Sequence, residues 1–332
     1  MNEQEQSQPD PLVSILLVSY NSKRYMDDCL QAIARHVSVA HEVILVDNGS
    51  TDGTTEHVRT AFPTVRVIES ETNLGFTGGN NLAARQARGT FLLLLNCDTV
   101  LLTDLTPGLR LLQEDERIGV VGARMYGRDG NLRANTGHFP KPWRLWKFTL
   151  QWSKPLQRPF GEPALGAFQH DWVEGSFLLT RRSNWEGVGG MDESGFMYTE
   201  DVEFCAHTLQ RGLVTVHCSR LMYLHFGGYN VERMSYLYAG YRRFHASCSS
   251  AAIRRRAEWV LLIGLIPRLI VFGLLAFCTR KPAFRKKFNR FADVWRSWKS
   301  LAPRASTRRP LPLAAPPALR SLVGKELHAS QP

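Results

Sequence analysis

The sequence predicts an α/β fold in which a mostly parallel sheet is flanked by helices. Three observations carry this. The run Phe91-Leu92-Leu93-Leu94-Leu95 is uninterrupted and apolar, and it follows Gly89. Such a run reads as a strand buried on both faces, as in a parallel sheet with helices packed on each side. Strand-like and helix-like segments alternate over the first hundred residues, the pattern of successive βαβ units. Finally, the polar turns after Ser19, Val46 and Leu95 all follow apolar strands. In a parallel sheet they share the carboxyl edge, where open α/β sheets hold ligands.

Taken in order, Val13 to Asn21 is a first buried strand, and Lys23 to His36 has helical spacing through Met26, Leu30 and Ile33. Glu42 to Asp47 is a second strand ending in a carboxylate. The turn Asn48-Gly49-Ser50-Thr51-Asp52-Gly53 offers cap residues for a helix near residues 53–61. Val65 to Glu69 makes a short third strand, and Asn73-Leu74-Gly75-Phe76-Thr77-Gly78-Gly79-Asn80-Asn81 opens another helix. The Phe91 strand ends in Asn96-Cys97-Asp98. Further on, Asp171 to Thr180 reads as a strand entered from a polar loop, with Gly175 permitting close backbone approach. Thr199 is placed to cap a helix whose first turn holds Glu200, Asp201 and Glu203. A strand-like run from Leu221 to Leu224 leads to His225-Phe226-Gly227-Gly228.

Composition divides the chain. Its 332 residues, 44% of them apolar, suffice for one large domain and an appendage. The formal charge of +11 conceals an asymmetry. Residues 1–232 hold 21 Lys and Arg against 27 Asp and Glu, net −6, whereas residues 233–332 hold 20 against three (Glu258, Asp293, Glu326), net +17. A basic tail on an acidic domain points to an anionic surface as the tail's target. Lipid fits better than nucleic acid, because Trp259 to Cys278 carries a single charge and is flanked by Arg254-Arg255-Arg256 and by Arg280-Lys281 and Arg285-Lys286-Lys287. Twenty apolar residues can span a bilayer. Arg268 and Pro267 at the centre disfavour that, the first by ~2.5 kcal/mol or more on insertion and the second by kinking a helix. A helix or helical hairpin in the membrane interface, its arginines on headgroups, is the expectation. A helix packed on the globular domain or a partner is the alternative. The expected divisions are a disordered segment 1–11, a globular domain 12–232, a basic helical region 233–299 and a disordered tail 300–332. Six scattered cysteines show no zinc or redox spacing, and Met1 to Asp10 lacks the apolar core of a secretory signal. A reducing, cytoplasmic setting follows, peripheral or monotopic at the inner face of the cell membrane.

The chemistry lies in the polar termini. A carboxylate at a strand end, as in Asn96-Cys97-Asp98, can hold a divalent cation over a phosphate, although Asn and Asp also simply end strands. Acids in a first helical turn are favoured by the helix dipole whether or not they react. Neither GxGxxG nor GxxxxGK[ST] occurs, which disfavours dinucleotide oxidoreductases and P-loop enzymes.

Taken together, Val13 to Asn21, Val46 to Gly53, Asn73 to Phe76 with Gly78 to Asn81, Asn96 to Asp98, Asp171 to Leu179, Thr199 to Asp201 and His225 to Gly228 resemble glycosyltransferase family 2, most nearly its rhamnosyltransferase-like branch in bacterial cell-surface polysaccharide synthesis. The resemblance implies the GT-A fold, a nucleotide-diphosphate-sugar donor (dTDP-, UDP- or GDP-linked), a divalent cation and inversion at the anomeric carbon. It implies that Ser19, Tyr20, Asp47, Asn48, Asn73, Gly75, Gly79, Asn80, Asn96 and Asp98 bind the donor, and that Trp172, Glu174 and Gly175 line the acceptor pocket. Asp98 and His225 would ligate Mn²⁺ or Mg²⁺, with Asn96 departing from the family's first aspartate. Asp201 matches the family's general base, with Glu200 as the fallback. The implied acceptor is a hydroxyl of a glycan or polyprenyl-linked glycan. A nucleotidyltransferase, or a non-catalytic sugar-binding scaffold with a decayed metal site, is the alternative.

Overall fold

The structure is a computed structural model and describes residues 10–150, 166–195, 197–227 and 234–299. The expected disorder of residues 1–9 and 300–332, the place of Gly228 and the boundary at 232/233 lie outside them. Strand β1 (Val13–Ser19), α1 (Lys23–His36), β2 (His41–Asp47), α2 (Thr54–Ala61), β3 (Arg66–Glu69), α3 (Gly75–Gln86) and β4 (Phe91–Asn96) alternate as expected. There follow β5 (Thr99–Leu101), α4 (Thr106–Glu114), β6 (Ile118–Gly127), β7 (Leu132–Arg133), β8 (Thr136–Gly137), α5 (Pro142–Leu150), β9 (Ala167–His170), β10 (Trp172–Val173), β11 (Phe177–Arg181), α6 (Arg182–Val188), α7 (Glu200–Gln210) and β12 (Val214–His225). Three helices complete the described chain: α8 (Met234–Cys248), α9 (Ala251–Thr279) and α10 (Pro282–Arg296).

Local chemistry explains these elements. In α1 the buried Met26, Cys29, Leu30 and Ile33 recur at three and four residues, one apolar face, while Arg35 and His36 occupy the last turn, where the dipole favours cations. Every residue from Phe91 to Leu95 is buried, as an uninterrupted apolar run requires.

The main sheet has the order β3-β2-β1-β4-β11-β6-β12-β5. Its first four strands are parallel. β11 then inserts antiparallel between β4 and β6, and β6 and β12 are parallel again. Parallel pairing thus follows the βαβ half of the chain, and the later strands make the sheet mixed. Asp171 to Thr180 is not one strand but two: β10 pairs with β8 in a separate small sheet, while β11 joins the main one. The turn between them, residues 174–176, is set at the carboxyl edge of β4, where Asn96 N–H donates to Ser176 O at 3.1 Å. Thr199 precedes α7 but does not cap it through its hydroxyl, because its backbone is left-handed (φ 70°).

Helices α5, α8, α9 and α10 enclose a third apolar core built from Leu145, Phe148, Tyr238, Tyr241, Leu261, Leu265, Phe291 and Val294. α9 runs as one helix through Pro267. Arg268 is not on its outer surface. It is 5% exposed and donates to Tyr238 Oη (2.8 Å) and Phe148 O (2.6 Å). The expectation that all the arginines of this region meet headgroups is corrected for this residue. Its charge is satisfied inside the protein by a hydroxyl, a carbonyl and two aromatic faces.

Candidate active site

Sheet register assembles the site. β1 pairs Ser19 with Asp47 and Val18 with Asn96, so the ends of β1, β2 and β4 coincide. After β4 the chain turns into β5, which pairs Thr99 with His225. That hairpin-like return sets Asp98 Oδ1 3.2 Å from His225 Nε2. Glu174 approaches the same imidazole from the other side, its Oε1 3.8 Å from Nδ1. Gly175 N–H donates to Asp201 Oδ2 at 2.9 Å. Asp98, His225, Glu174, Gly175 and Asp201 therefore form one continuous group. The side chains of Asp98, Glu174 and His225 are 25%, 23% and 14% exposed, so a ligand can reach them.

Electrostatics follow from this crowding. Burial raises the Glu174 carboxyl above its ordinary value; His225 opposes that, and the charges of Asp201 and Asp98 add to it. Burial works to lower His225, but the hydrogen bond and charge of Asp98, with Glu174, outweigh it, and the imidazole is raised. Asp201 is raised by burial, offset in part by the N–H groups of Gly175 and Val202. Phe226 fixes the loop, donating its N–H to Asp98 O and stacking on Tyr25 at 5.9 Å.

Beside this group lies a second, polar one. Asp47 is 2% exposed; its carboxylate accepts from Ser19 Oγ (2.8 Å) and from Ser50 N (2.8 Å) and Oγ (2.5 Å). Asn48 donates Nδ2 to Gly75 O at 3.0 Å, and its buried Oδ1 has no hydrogen-bond partner among the described residues. Asn73 Oδ1 accepts from Gly75 N–H, and Gly75 adopts φ 70°, the left-handed conformation that suits glycine. Tyr20 is exposed at this edge. Asn80 is buried and returns Nδ2 to Phe76 O at 2.9 Å. Gly79 lies where α3 crosses β1: a Cβ there would sit 2.6 Å from Val18 Cγ1, so close helix-to-strand packing accounts for the glycine. Trp172 is 9% exposed and packs in the core, its indole N–H donating to His138 O at 3.1 Å.

Glu200 and Asp201 face different surroundings, as neighbours on a helix do. Glu200 is 8% exposed and lies 3.8 Å from Arg243 of α8. Burial, then the charge of Asp201, push its carboxyl up to about 8, with Arg243 opposing. Burial thus favours the neutral form of Glu200, whereas Asp201 accepts two backbone N–H bonds that favour its ionised form. Because the folded value is above the ordinary 4.5, stability tied to this proton is full below 4.5 and is lost as pH climbs towards 8. Glu200→Gln removes that loss, and thermal melts should show the variant more stable than the wild type at about pH 9, by several kcal/mol, and little different near pH 5. An equal pH dependence for both proteins would show Glu200 ionised in the fold.

Arg243, which sequence inspection grouped with the basic tail, is 5% exposed and bonds Glu203 Oε1 (2.9 Å) and Tyr198 O (2.8 Å). The available signal was Glu200 with Glu203, two acids one helical turn apart with no cation near in sequence.

The comparisons with known proteins agree with this arrangement. The glycosyl transferase family 2 profile matches residues 14–177. Residues 14–177 are a glycosyl transferase family 2 domain. It is 25% identical over 255 residues to N-acetylglucosaminyl-diphospho-decaprenol L-rhamnosyltransferase of Mycobacterium tuberculosis, covering 67% of this chain and 78% of that protein. It is 26% identical over 229 residues to the low-salt glycan biosynthesis hexosyltransferase Agl10 of Haloferax volcanii, covering 64% of this chain and 66% of that one. Among solved structures, GalNAc-T7 with UDP, GalNAc and Mn²⁺ shares the fold at a TM-score of 0.59 and 13% identity, over 91% of this chain and 61% of that one. Mannosyltransferase PcManGT of Pyrobaculum calidifontis with GDP-Man and Mn²⁺ does so at 0.53 and 14%, over 88% and 87%. The fold is thus that of GT-A glycosyltransferases, and the protein is a glycosyltransferase.

Proposed function

We propose that the protein moves a sugar, L-rhamnose first among candidates, from a nucleotide-diphosphate-sugar to a hydroxyl of a polyprenyl-linked glycan, with inversion and with a divalent cation. The work is envelope polysaccharide synthesis at the inner face of the cell membrane. The observation that carries this is the convergence of Asp98, His225, Glu174 and Asp201 at the carboxyl edge of one sheet. Support for the sugar and acceptor comes from the rhamnosyltransferase likeness.

Asp201 takes the acceptor's proton as its oxygen attacks the anomeric carbon on the face opposite the leaving diphosphate. Its raised carboxyl makes it a stronger base than an ordinary aspartate. The Gly175 N–H holds the carboxylate in place. Glu174 and the turn behind it position the acceptor. Ser19 and Ser50 hold Asp47 at the nucleoside edge, where Asn48 Oδ1 offers an unused acceptor.

The residues present fit a cation supplied with part of its shell by substrate. Among the described residues no three His, Cys, Asp or Glu side chains cluster as a metal cage. Asp98 and His225 offer one oxygen and one nitrogen, and diphosphate and water complete such shells for small cations. A nitrogen ligand favours Mn²⁺ over Mg²⁺. A bound cation supplies charge neutralisation on the departing diphosphate.

The test is calorimetry of UDP, GDP and dTDP with and without Mn²⁺. Asp98→Ala should remove the Mn²⁺-dependent part of the affinity, and unaltered binding would refute the metal role. A thermal-shift screen of nucleotide-sugars then identifies the donor, since ligand at 100 times its Kd adds ~2.7 kcal/mol.

A further inference from the structure

α9 has two opposite faces. At about 100° per residue, Ala257, Leu261, Leu265, Arg268 and Phe272 fall on one side, and all are buried against α5, α8 and α10. Trp259, Ile263, Ile266, Ile270, Leu274 and Phe277 recur every three or four residues and fall within an arc of about 60–80° on the other side. They are 43–82% exposed, with no charge among them. Basic residues bound this stripe: Arg255 and Arg256 straddle its start, and Arg280, Lys281 and Arg285 to Lys287 lie past its end, all exposed.

We propose that this stripe is a membrane-docking face, on which α9 lies along an anionic bilayer without crossing it. The inference deepens the membrane-side proposal above and rests on it for its purpose, though not for its geometry. The six apolar side chains enter the acyl boundary, and the arginines and lysines at both ends meet headgroup phosphates. The helix is long and apolar enough to span by length and composition alone. Packing opposes that, because spanning would expose a whole face now sealed against other helices. It would also draw Arg268 away from Tyr238 Oη and Phe148 O. A second copy of the chain is a poor occupant. Both ends of the stripe are basic, so antiparallel and parallel pairing alike set cation against cation.

The test uses the full-length protein and sealed vesicles, with no sugar donor or acceptor present. The protein should float with phosphatidylglycerol-rich vesicles, and less with pure phosphatidylcholine or at high salt. Ile263→Gln, Ile266→Gln and Ile270→Gln together should lower partitioning about 100-fold or more. Arg255→Gln with Arg256→Gln should lower it roughly 30-fold. All five positions are exposed, so melting temperatures should hold, which separates lost docking from lost folding. Cys278 is exposed while the other five cysteines are buried. Cys278 and the thiol introduced by Ala251→Cys, both exposed and outside the arc of the stripe, should both react with an impermeant maleimide added outside the vesicles. Protection of one end would mean spanning and overturn the proposal. Vesicle binding indifferent to the isoleucine substitutions would overturn it as well, as would a dimer dissolved by them without any vesicle binding. Mn²⁺-dependent nucleotide binding, measured on the same variants, keeps a failure here distinct from a failure of the transferase reading.

Discussion

Asp201→Asn is expected to abolish sugar transfer while leaving the donor bound. Loss of a positioned general base costs about 10²–10⁴-fold in rate. The substituted side chain has nearly the same shape, and in the proposed site the donor's contacts lie with other residues. Asp201 accepts two backbone N–H bonds, from Gly175 and Val202, both 2.9 Å or shorter. An amide has one acceptor oxygen, so one of those donors goes unmet, at about 1–3 kcal/mol in stability. Two measurements separate the effects: nucleotide release from the donor with acceptor present, and calorimetric donor affinity. Near-normal turnover would show that the base is elsewhere. The pH profile is a further check. A base works ionised, and burial raises this one, so the wild-type rate should fall on acidification at a pH above the ordinary aspartate range. Residual activity of the variant should lack that limb.

Arg243→Ala is expected to destabilise the protein by about 3–5 kcal/mol, because it strands the Glu203 carboxylate in an apolar interior. Glu203 is 1% exposed, and Arg243 bonds it while also tying down Tyr198 O, where the chain turns with φ 70° into α7. Gly195 leaves room for the guanidinium, since a Cβ there would collide with it. The distinguishing control is Arg243→Met with Glu203→Met. Replacing both buried partners by apolar groups of similar length should recover much of the loss. If the double variant is as unstable as the sum of the singles, the pair is not the reason for the effect. Chemical denaturation of Arg243→Ala, of Arg243→Met and Glu203→Met singly, and of the double variant decides it. Because Arg243 sits on α8 and Glu200 to Glu203 on α7, this contact also joins the C-terminal helices to the helix that carries Asp201.

Much of the fold was legible because it depends on neighbours in sequence. The bounds of α1 match the apolar spacing, and the βαβ alternation emerges strand by strand to β4. Asp98, His225, Glu174 and Asp201 could each be named from strand ends, a helix start and a family likeness. Less legible was Asp171 to Thr180, since an apolar run does not reveal that its two halves pair in different sheets. Thr199 had the residue type of a cap but a left-handed backbone, set by packing against Gly240 of α8. Helix α5 went unpredicted because its apolar face, Leu145 and Phe148, has meaning only against α8 and α9.

By itself the sequence determined which segments become strands and helices, the charge asymmetry of the two halves and the family. Those depend on local periodicity and composition. Tertiary structure alone decided which charges are buried together, as with Arg268 against Phe148, 120 residues earlier, and Arg243 against Glu203, 40 earlier. It likewise decided which side of α9 stays bare. Such pairings depend on strand order and helix packing, which bring distant residues together and which no window along the chain contains.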